Sequence, residues 1–155
     1  MTQFRTEKAN LDDRRIRDLL SYHHREMIAG SPPGQAFALD LEAFTSPGIE
    51  LHAAWSGEML AAVGAVKFEG REYAELKSMR TSPSLLRRGA ATNLLAHLLE
   101  IAHSRGFRRV SLETGTGPAF EPAITLYLRH GFQPGTAFGE YQPSDFNQFF
   151  HLDLA

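Results

Sequence analysis

The sequence predicts an α/β protein built on a mixed sheet, and three observations carry that expectation. Between residues 49 and 81, short apolar runs are separated by Ser-Gly-Glu and Glu-Gly-Arg segments, the pattern of an antiparallel meander. After Ser82-Pro83-Ser84 the period changes, and Ala91, Leu94, Leu95, Leu98, Ile101 and Ala102 recur at helical spacing. A further strand-like run, Arg109 to Thr114, follows that helix. A right-handed crossover then sets it parallel to Tyr73–Thr81. The length of 155 residues suits one domain, expected over residues 1–155.

The elements follow in order. Phe4 to Ala9 reads as a short first strand. Leu11 to Ile28 reads as a helix, with Ile16, Leu19, Leu20, His23 and Met27 at 3–4 spacing. Gly30-Ser31-Pro32-Pro33-Gly34 breaks it. Ala36 to Phe44 reads as a second short helix with Phe37, Leu41 and Phe44 on one side, stopped by Ser46-Pro47-Gly48. Ile49, Leu51, Ala53 and Trp55 alternate as a half-buried strand requires. Met59 to Phe68 is almost continuously apolar, as in a strand buried on both faces. Tyr73 to Thr81 is the next strand, Arg87 to Arg105 a helix and Gly106 its stop. Glu121 to His130 reads as a short helix closed by Gly131, with strands at Phe132–Ala137 and Phe146–Leu154.

Composition excludes several classes. Sixteen Lys+Arg against 18 Asp+Glu leave a net charge of −2, which gives no general reason to bind nucleic acid or an anionic membrane. The longest strongly apolar stretch, Met59–Val66, is too short to cross a bilayer. The N-terminal run MTQFRTEKANLDDRR lacks an apolar signal core, and there is no Cys, so a cytoplasmic location is expected. Seven His residues invite a metal reading. His23 and His24 are adjacent, His97 and His103 lie on different helix faces, and HExxH is missing, so no metal is expected.

The most informative stretch runs from Ala74 to Thr92: strand, short basic loop, helix. Small residues, Gly89, Ala90 and Ala91, stand at the helix start beside Arg87 and Arg88. Unpaired amides and the positive end of the helix dipole at such a start suit a phosphate or pyrophosphate. The plainer alternative is a strand–loop–helix whose glycine serves the turn. The loop is neither a Walker A loop nor a GxGxxG fingerprint.

At this point the chain resembles the GNAT superfamily of acetyl-CoA-dependent N-acetyltransferases, whose pyrophosphate loop reads Gln/Arg-x-x-Gly-x-Gly/Ala. Gly89-Ala90-Ala91 matches its second half, while Leu86 stands where Gln or Arg is usual. A second match follows in Ala123-Ile124-Thr125-Leu126-Tyr127-Leu128-Arg129-His130-Gly131-Phe132, similar to the family's Ala-x-x-Leu-Tyr-x-x-x-Gly-Phe motif. Phe120 departs from the Asn often found before it. Leu76–Thr81, Ser111–Gly115 and Phe120–Ala123 resemble a narrower YsnE-like branch of acetyltransferases. The resemblance implies the GNAT fold: a mixed, mostly antiparallel sheet with helices on both faces, its fourth and fifth strands parallel and splayed around the pantetheine arm.

The resemblance also assigns roles. Acetyl-CoA as co-substrate would lie against Met79, Arg80 and Thr81 of the strand and Arg87, Arg88, Gly89, Ala90, Ala91 and Thr92 of the loop. Amine attack on the thioester needs a free lone pair, and an alkylammonium pKa of about 10.4 makes a proton acceptor necessary. Glu75 is the first candidate, because it precedes Gly89 by the fourteen residues seen for a strand-borne base in some members. Alternation places Glu75, Lys77 and Met79 on one face, and a Glu75–Lys77 pair is the plainer reading. Glu113 is the second candidate, with His23 and His24 behind it. The amide of Met79 or Arg80 would face the developing oxyanion, and Tyr127 matches the general acid that protonates the leaving thiolate. The expected acceptor is a small-molecule amine. Tyr22, His23, His24, Glu26, Phe37 and Tyr141 are candidates for its cavity. The alternative is a non-catalytic acyl-CoA-binding or sensor domain. A homodimer is compatible with the sequence, though no segment demands one.

Overall fold

Residues 4–36, 39–70 and 72–154 are described by the computed structural model. The sheet grows from β3 (Met59–Glu69), whose apolar residues between Leu60 and Val66 are buried on both sides. Val63 and Ala65 join Ile16, Leu19 and Leu20 of α1 (Arg14–Ala29) in one core cluster. Ala62 and Val66 join Leu94, Leu95 and Leu98 of α2 (Ala90–Ser104) in the other. The near-continuous apolar run thus marks a central strand between two helical layers.

Seven strands pair in the order β1-β2-β3-β4-β5-β7-β6. They are β1 (Arg5–Lys8), β2 (Ile49–Ser56), β3, β4 (Tyr73–Thr81), β5 (Arg109–Gly115), β6 (Gln133–Gly135) and β7 (Asn147–Asp153). All neighbours are antiparallel except β4 and β5. The helix α3 (Glu121–Arg129) adds Ile124 and Tyr127 to the α2 side of the core. Farther along α2, Arg105 Nη1 lies 2.5 Å from Glu50 Oε2 and His97 Nε2 lies 3.2 Å from His52 Nδ1, tying this helix to β2.

The expected fold class holds, and the boundaries differ for local reasons. α1 starts at Arg14, because the Asp13 side chain accepts the Arg15 N–H at 2.9 Å and caps the helix. The expected helix over Ala36–Phe44 is only a 3₁₀ turn, Leu41–Thr45, capped by Asp40; Phe37 falls outside the described residues. α2 starts at Ala90 rather than Arg87, because Arg87 (φ 63°) and Gly89 (φ 90°) are left-handed and interrupt helical winding. The strand expected over Phe132–Ala137 is limited to Gln133–Gly135.

Two irregularities shape the centre. β4 and β5 share only two register pairs, Ala74↔Val110 and Glu75↔Ser111. β5 then continues alongside β7 as far as Gly115↔Asn147, so it leaves β4 behind. The second irregularity is a bulge in β4. Val63 pairs with Arg80 and Ala65 with Lys77, so Gly64 stands opposite both Ser78 and Met79. Ser78 takes a φ of 59° there. Strict alternation therefore fails: Met79 joins the α2 side, near Leu94 and Leu98, and is not on the face of Glu75 and Lys77. A Cβ on Gly64 would come within 2.4 Å of Met79 Sδ, so glycine makes room for the displaced side chain.

Gly115, at the end of β5, is similarly constrained. An added Cβ would lie 2.4 Å from Phe146 Cζ and 2.7 Å from Phe120 Cζ, both rigid rings in edge contact with one another. Gly115→Ala is expected to destabilise the fold by about 1–3 kcal/mol, as overpacking does. Thermal denaturation should show a Tm several degrees lower. An unchanged Tm would mean that these rings can move without cost.

Candidate active site

The divergence of β4 and β5 opens a cavity of about 490 Å³. Its walls include Lys77–Thr81 of β4, Leu112–Gly115 of β5, Gly89–Thr92 at the start of α2, and Tyr127 of α3. It extends to Ser31 and Gln35 beyond α1. The parts that the sequence singled out separately therefore line a common space.

At one end is the start of α2. The Asn93 N–H to Gly89 carbonyl bond, 3.0 Å, is the first of the helix, and Gly89 supplies no side-chain cap. The amides of Ala90, Ala91 and Thr92 consequently precede the helical ladder and carry the positive end of its dipole. Gly89 reaches its left-handed φ without the steric cost of a side chain, and nothing lies within 4 Å of where its Cβ would be. Arg87 and Arg88 are exposed beside it. Leu86 is 56% exposed and also lines the cavity, so the departure from Gln or Arg leaves an apolar rim there.

On the α1 face of β4 is a polar cluster. Glu75 is only 5% exposed. Its Oε2 accepts a hydrogen bond from Lys77 Nζ at 3.3 Å and another, very short, from the Tyr141 hydroxyl. Lys77 Nζ also donates to Tyr141 Oη at 2.8 Å. Glu75 and Lys77 thus form the pair that their spacing allowed, with Tyr141 from the β6–β7 connection closing it. Burial, then the charge of Glu75, holds the Tyr141 phenol well above its ordinary range.

Glu113 belongs to the same electrostatic group. Burial pushes its carboxyl up to about 7; Lys77 opposes the shift, Glu75 adds to it, and a hydrogen bond with Asn147 opposes it. Asn147 is fixed in turn, since it donates to the Gln142 carbonyl at 3.1 Å and accepts from the Ser144 amide at 2.8 Å. Ser144 Oγ donates to Gln35 Oε1 at 3.0 Å, joining the β6–β7 connection to the chain after α1. Sequence reasoning missed Asn147 and Ser144. Ser144 lies within the Ala137–Asp145 connection that the sequence marked as a cavity segment, and Asn147 is the first residue of β7 and gave no signal.

Tyr127 and Arg80 meet near the middle. Tyr127 is 7% exposed and packs at 5.7 Å from the Phe132 ring. Burial raises its phenol above the ordinary range, and Arg80 opposes that shift. Arg80 Nε donates to His23 Nδ1 at 2.9 Å, and its guanidinium lies 5.5 Å from the centre of the Tyr22 ring. Burial, then Arg80, then His24, pulls His23 down to about 3. His23 is therefore neutral at pH 7, accepts the Arg80 proton donor, and is a poor proton acceptor for an amine. His24 Nδ1 is buried without a hydrogen-bond partner among the described residues. Among those residues no group of three or more His, Asp or Glu is arranged to hold a metal ion, and no helix is long and apolar enough to cross a membrane.

Comparison with known proteins agrees with this geometry. The profile of the Acetyltransferase (GNAT) family matches residues 16–132. The chain is 40% identical over 139 residues to the uncharacterized N-acetyltransferase YedL of Escherichia coli K12, covering 90% of this chain and 87% of YedL. It is 43% identical over 132 residues to the uncharacterized N-acetyltransferase YsnE of Bacillus subtilis 168, covering 85% and 87%. In fold it is similar to the PaiA N-acetyltransferase of Thermoplasma acidophilum in complex with coenzyme A, with a TM-score of 0.72 at 13% identity over 98% and 99% of the two chains. A strand pair that parts beside a glycine-capped helix, a family profile spanning the central elements and relatives above 30% identity together make this chain a member of the GNAT acetyltransferase family.

Proposed function

We propose that this acetyltransferase moves the acetyl group of acetyl-CoA to the amine of a small molecule by direct attack. The observation that carries the reading is the shared cavity, which joins an anion-binding helix start to a half-buried carboxyl and a buried phenol. The pyrophosphate would rest on the amides of Ala90–Thr92, with Arg87 and Arg88 adding positive charge. The pantetheine arm would fill the gap between β4 and β5, whose unpaired backbone offers it hydrogen bonds. The PaiA N-acetyltransferase, similar in fold, is solved in complex with coenzyme A, which supports CoA as the co-substrate.

An amine near pH 7 must lose a proton, at a cost of about 4–5 kcal/mol for a pKa near 10.4. We assign that proton to Glu113. Glu75, the first choice from sequence, is held in an ion pair with Lys77 and a short bond from Tyr141. Glu113 has a pKa near the working pH, where a general base is most effective. Glu75 then acts through its charge, which helps keep Glu113 basic. The amide of Met79 or Arg80, both lining the cavity beyond the last β4–β5 register pair, would face the developing oxyanion. Tyr127 stays protonated through the neutral range and would give its proton to the departing thiolate.

Three experiments test this reading. Gly89→Glu combines backbone strain with like-charge repulsion and should weaken CoA binding by at least about tenfold in calorimetry, with the circular dichroism spectrum retained. Unchanged affinity would remove the loop from the CoA site. Tyr127→Phe should lower kcat by roughly 10²–10⁴-fold when chemistry limits turnover. Activity close to that of the parent would leave Tyr127 a packing role.

The third is a pH–rate profile. With Glu113 as base, kcat/KM should rise as pH passes through about 7, because the carboxylate form is the active one. Glu113→Gln should lose that rise and most of kcat/KM. Glu75→Gln should shift the rise to lower pH, since a neighbouring negative charge is gone. Folding gives a second readout. The Glu113 carboxyl is raised in the folded state above its ordinary value of 4.5, so its ionisation destabilises the fold as pH climbs from 4.5 through 7. The Tm of Glu113→Gln relative to the parent should therefore increase between pH 5 and pH 8. Loss of activity in Glu75→Gln alone would return the base to Glu75.

A further inference from the structure

With an ammonium group facing Glu113, the charges around the cavity do not cancel. Lys77 is committed to Glu75 and Tyr141. Glu113 is the group that meets the amine. Arg80 remains. It lines the cavity, and burial lowers its pKa, so the charge is held at an energetic cost. Among the described residues no carboxylate oxygen lies within 4.0 Å of it. The groups around it are Tyr22 and Glu26 of α1 and Tyr127 of α3, all of which act on it electrostatically, and the neutral His23. Glu26 is exposed and accepts the Tyr22 hydroxyl proton at 3.3 Å.

The arrangement fixes Arg80 without neutralising it. His23 takes only the Nε–H, and the Tyr22 ring lies beside the guanidinium. The two terminal nitrogens are the pair that grips a carboxylate in the bidentate mode. The bulge at Ser78 brings this about. Without it, residue 80 would share the face of Leu76 toward α2; with it, Arg80 returns to the α1 face with Glu75 and Lys77. A half-buried cation held by two fixed neighbours, with only the exposed Glu26 carboxylate acting on it from beyond 4.0 Å, suits an anionic ligand.

We propose that the acceptor carries a carboxylate as well as an amine, and that Arg80 binds that carboxylate while the amine faces Glu113. The proposal rests on the acetyl-transfer reading. It narrows the acceptor class to small amino acids in the broad sense, zwitterions with one amine and one acid group. In the reaction the amine nitrogen bonds to the acetyl carbon and the carbon–sulfur bond breaks. One proton of the ammonium passes to Glu113 before attack, the sulfur takes the Tyr127 proton, the nitrogen's second proton restores Tyr127, and the products are an N-acetylamino acid, free CoA and the proton that Glu113 releases to water. Neutralising the amine turns a zwitterion into an anion, which increases the attraction to Arg80 as product forms.

The test uses pairs of acceptors that differ only in the acid group: α-amino acids, β-alanine and γ-aminobutyrate, each with its carboxamide. CoA release from acetyl-CoA gives kcat/KM for each. The acid should be preferred over its amide by about 10–100-fold for the best pair. Arg80→Gln should abolish that preference, chiefly through KM, and Arg80→Lys should restore part of it. Amides that react as well as the acids, or a preference that survives in Arg80→Gln, would overturn the proposal. A second arm separates it from the acetyl-transfer reading. The N-acetylated acid and N-acetylated amide are titrated into the CoA-bound protein. If CoA binds but no acceptor turns over, the transfer reading fails, and tighter binding of the acid by the parent but not by Arg80→Gln still upholds the carboxylate site. If no carboxylate-bearing acceptor or product reacts or binds, the carboxylate site is wrong.

Discussion

Backbone amides and carbonyls in a protein interior need hydrogen-bond partners, and β4 and β5 leave theirs unpaired after Glu75 and Ser111. The rest of the site depends on that parting. β7 draws β5 away by pairing along its full length, from Arg109↔Asp153 to Gly115↔Asn147. β3 holds β4 on the other side, with a bulge that locally shifts its register. The gap between them is a slot lined by backbone, with a helix start at one end and a cluster of ionisable side chains at the other. An extended polar ligand that satisfies those groups would complete the sheet.

The ionisable cluster is held together at some expense to stability. Glu75, Lys77, Tyr141 and Glu113 are brought together from β4, β5 and the β6–β7 connection, and burial holds Glu113 up to about 7. A neutral glutamine at residue 113 would relieve that cost. Ser78 adds another, since a left-handed conformation costs a non-glycine residue about 1–2 kcal/mol. In exchange, Arg80 lines the cavity from the α1 face and Met79 fills the space that Gly64 leaves. Strain and raised pKa values are concentrated in one region, as they are at functional sites.

The antiparallel meander of β2 to β4, the parallel β4–β5 pair and the small-residue entry to α2 were legible in the sequence because each leaves a local mark; the insertion of β7 between β5 and β6 was not. β3 shows a continuous apolar run, Gly89-Ala90-Ala91 shows a small-residue entry, and Leu126-Tyr127 with Gly131-Phe132 shows a motif. The bulge was not legible, since Ser78 is an ordinary strand residue by composition and its effect comes from Gly64 across the ladder. For that reason alternation misplaced Met79. Nor could spacing decide between Glu75 and Glu113. Each sits on a central strand, and only the tertiary contacts distinguish a carboxylate held by Lys77 and Tyr141 from one raised by burial. The helix expected at Ala36–Phe44 failed because Asp40 caps a single 3₁₀ turn, a local hydrogen bond that competes with helical winding.

The claim that the β4–β5 gap is the cofactor slot is tested most directly by a crystal structure of the protein with CoA. The account predicts pyrophosphate oxygens within hydrogen-bond distance of the Ala90–Thr92 amides. It predicts the pantetheine arm between β4 and β5, with the sulfur next to the Tyr127 hydroxyl and on the side of the cavity that holds Glu113. CoA bound at any other surface, or β4 and β5 closed against one another beyond Glu75 and Ser111 in that complex, would contradict it.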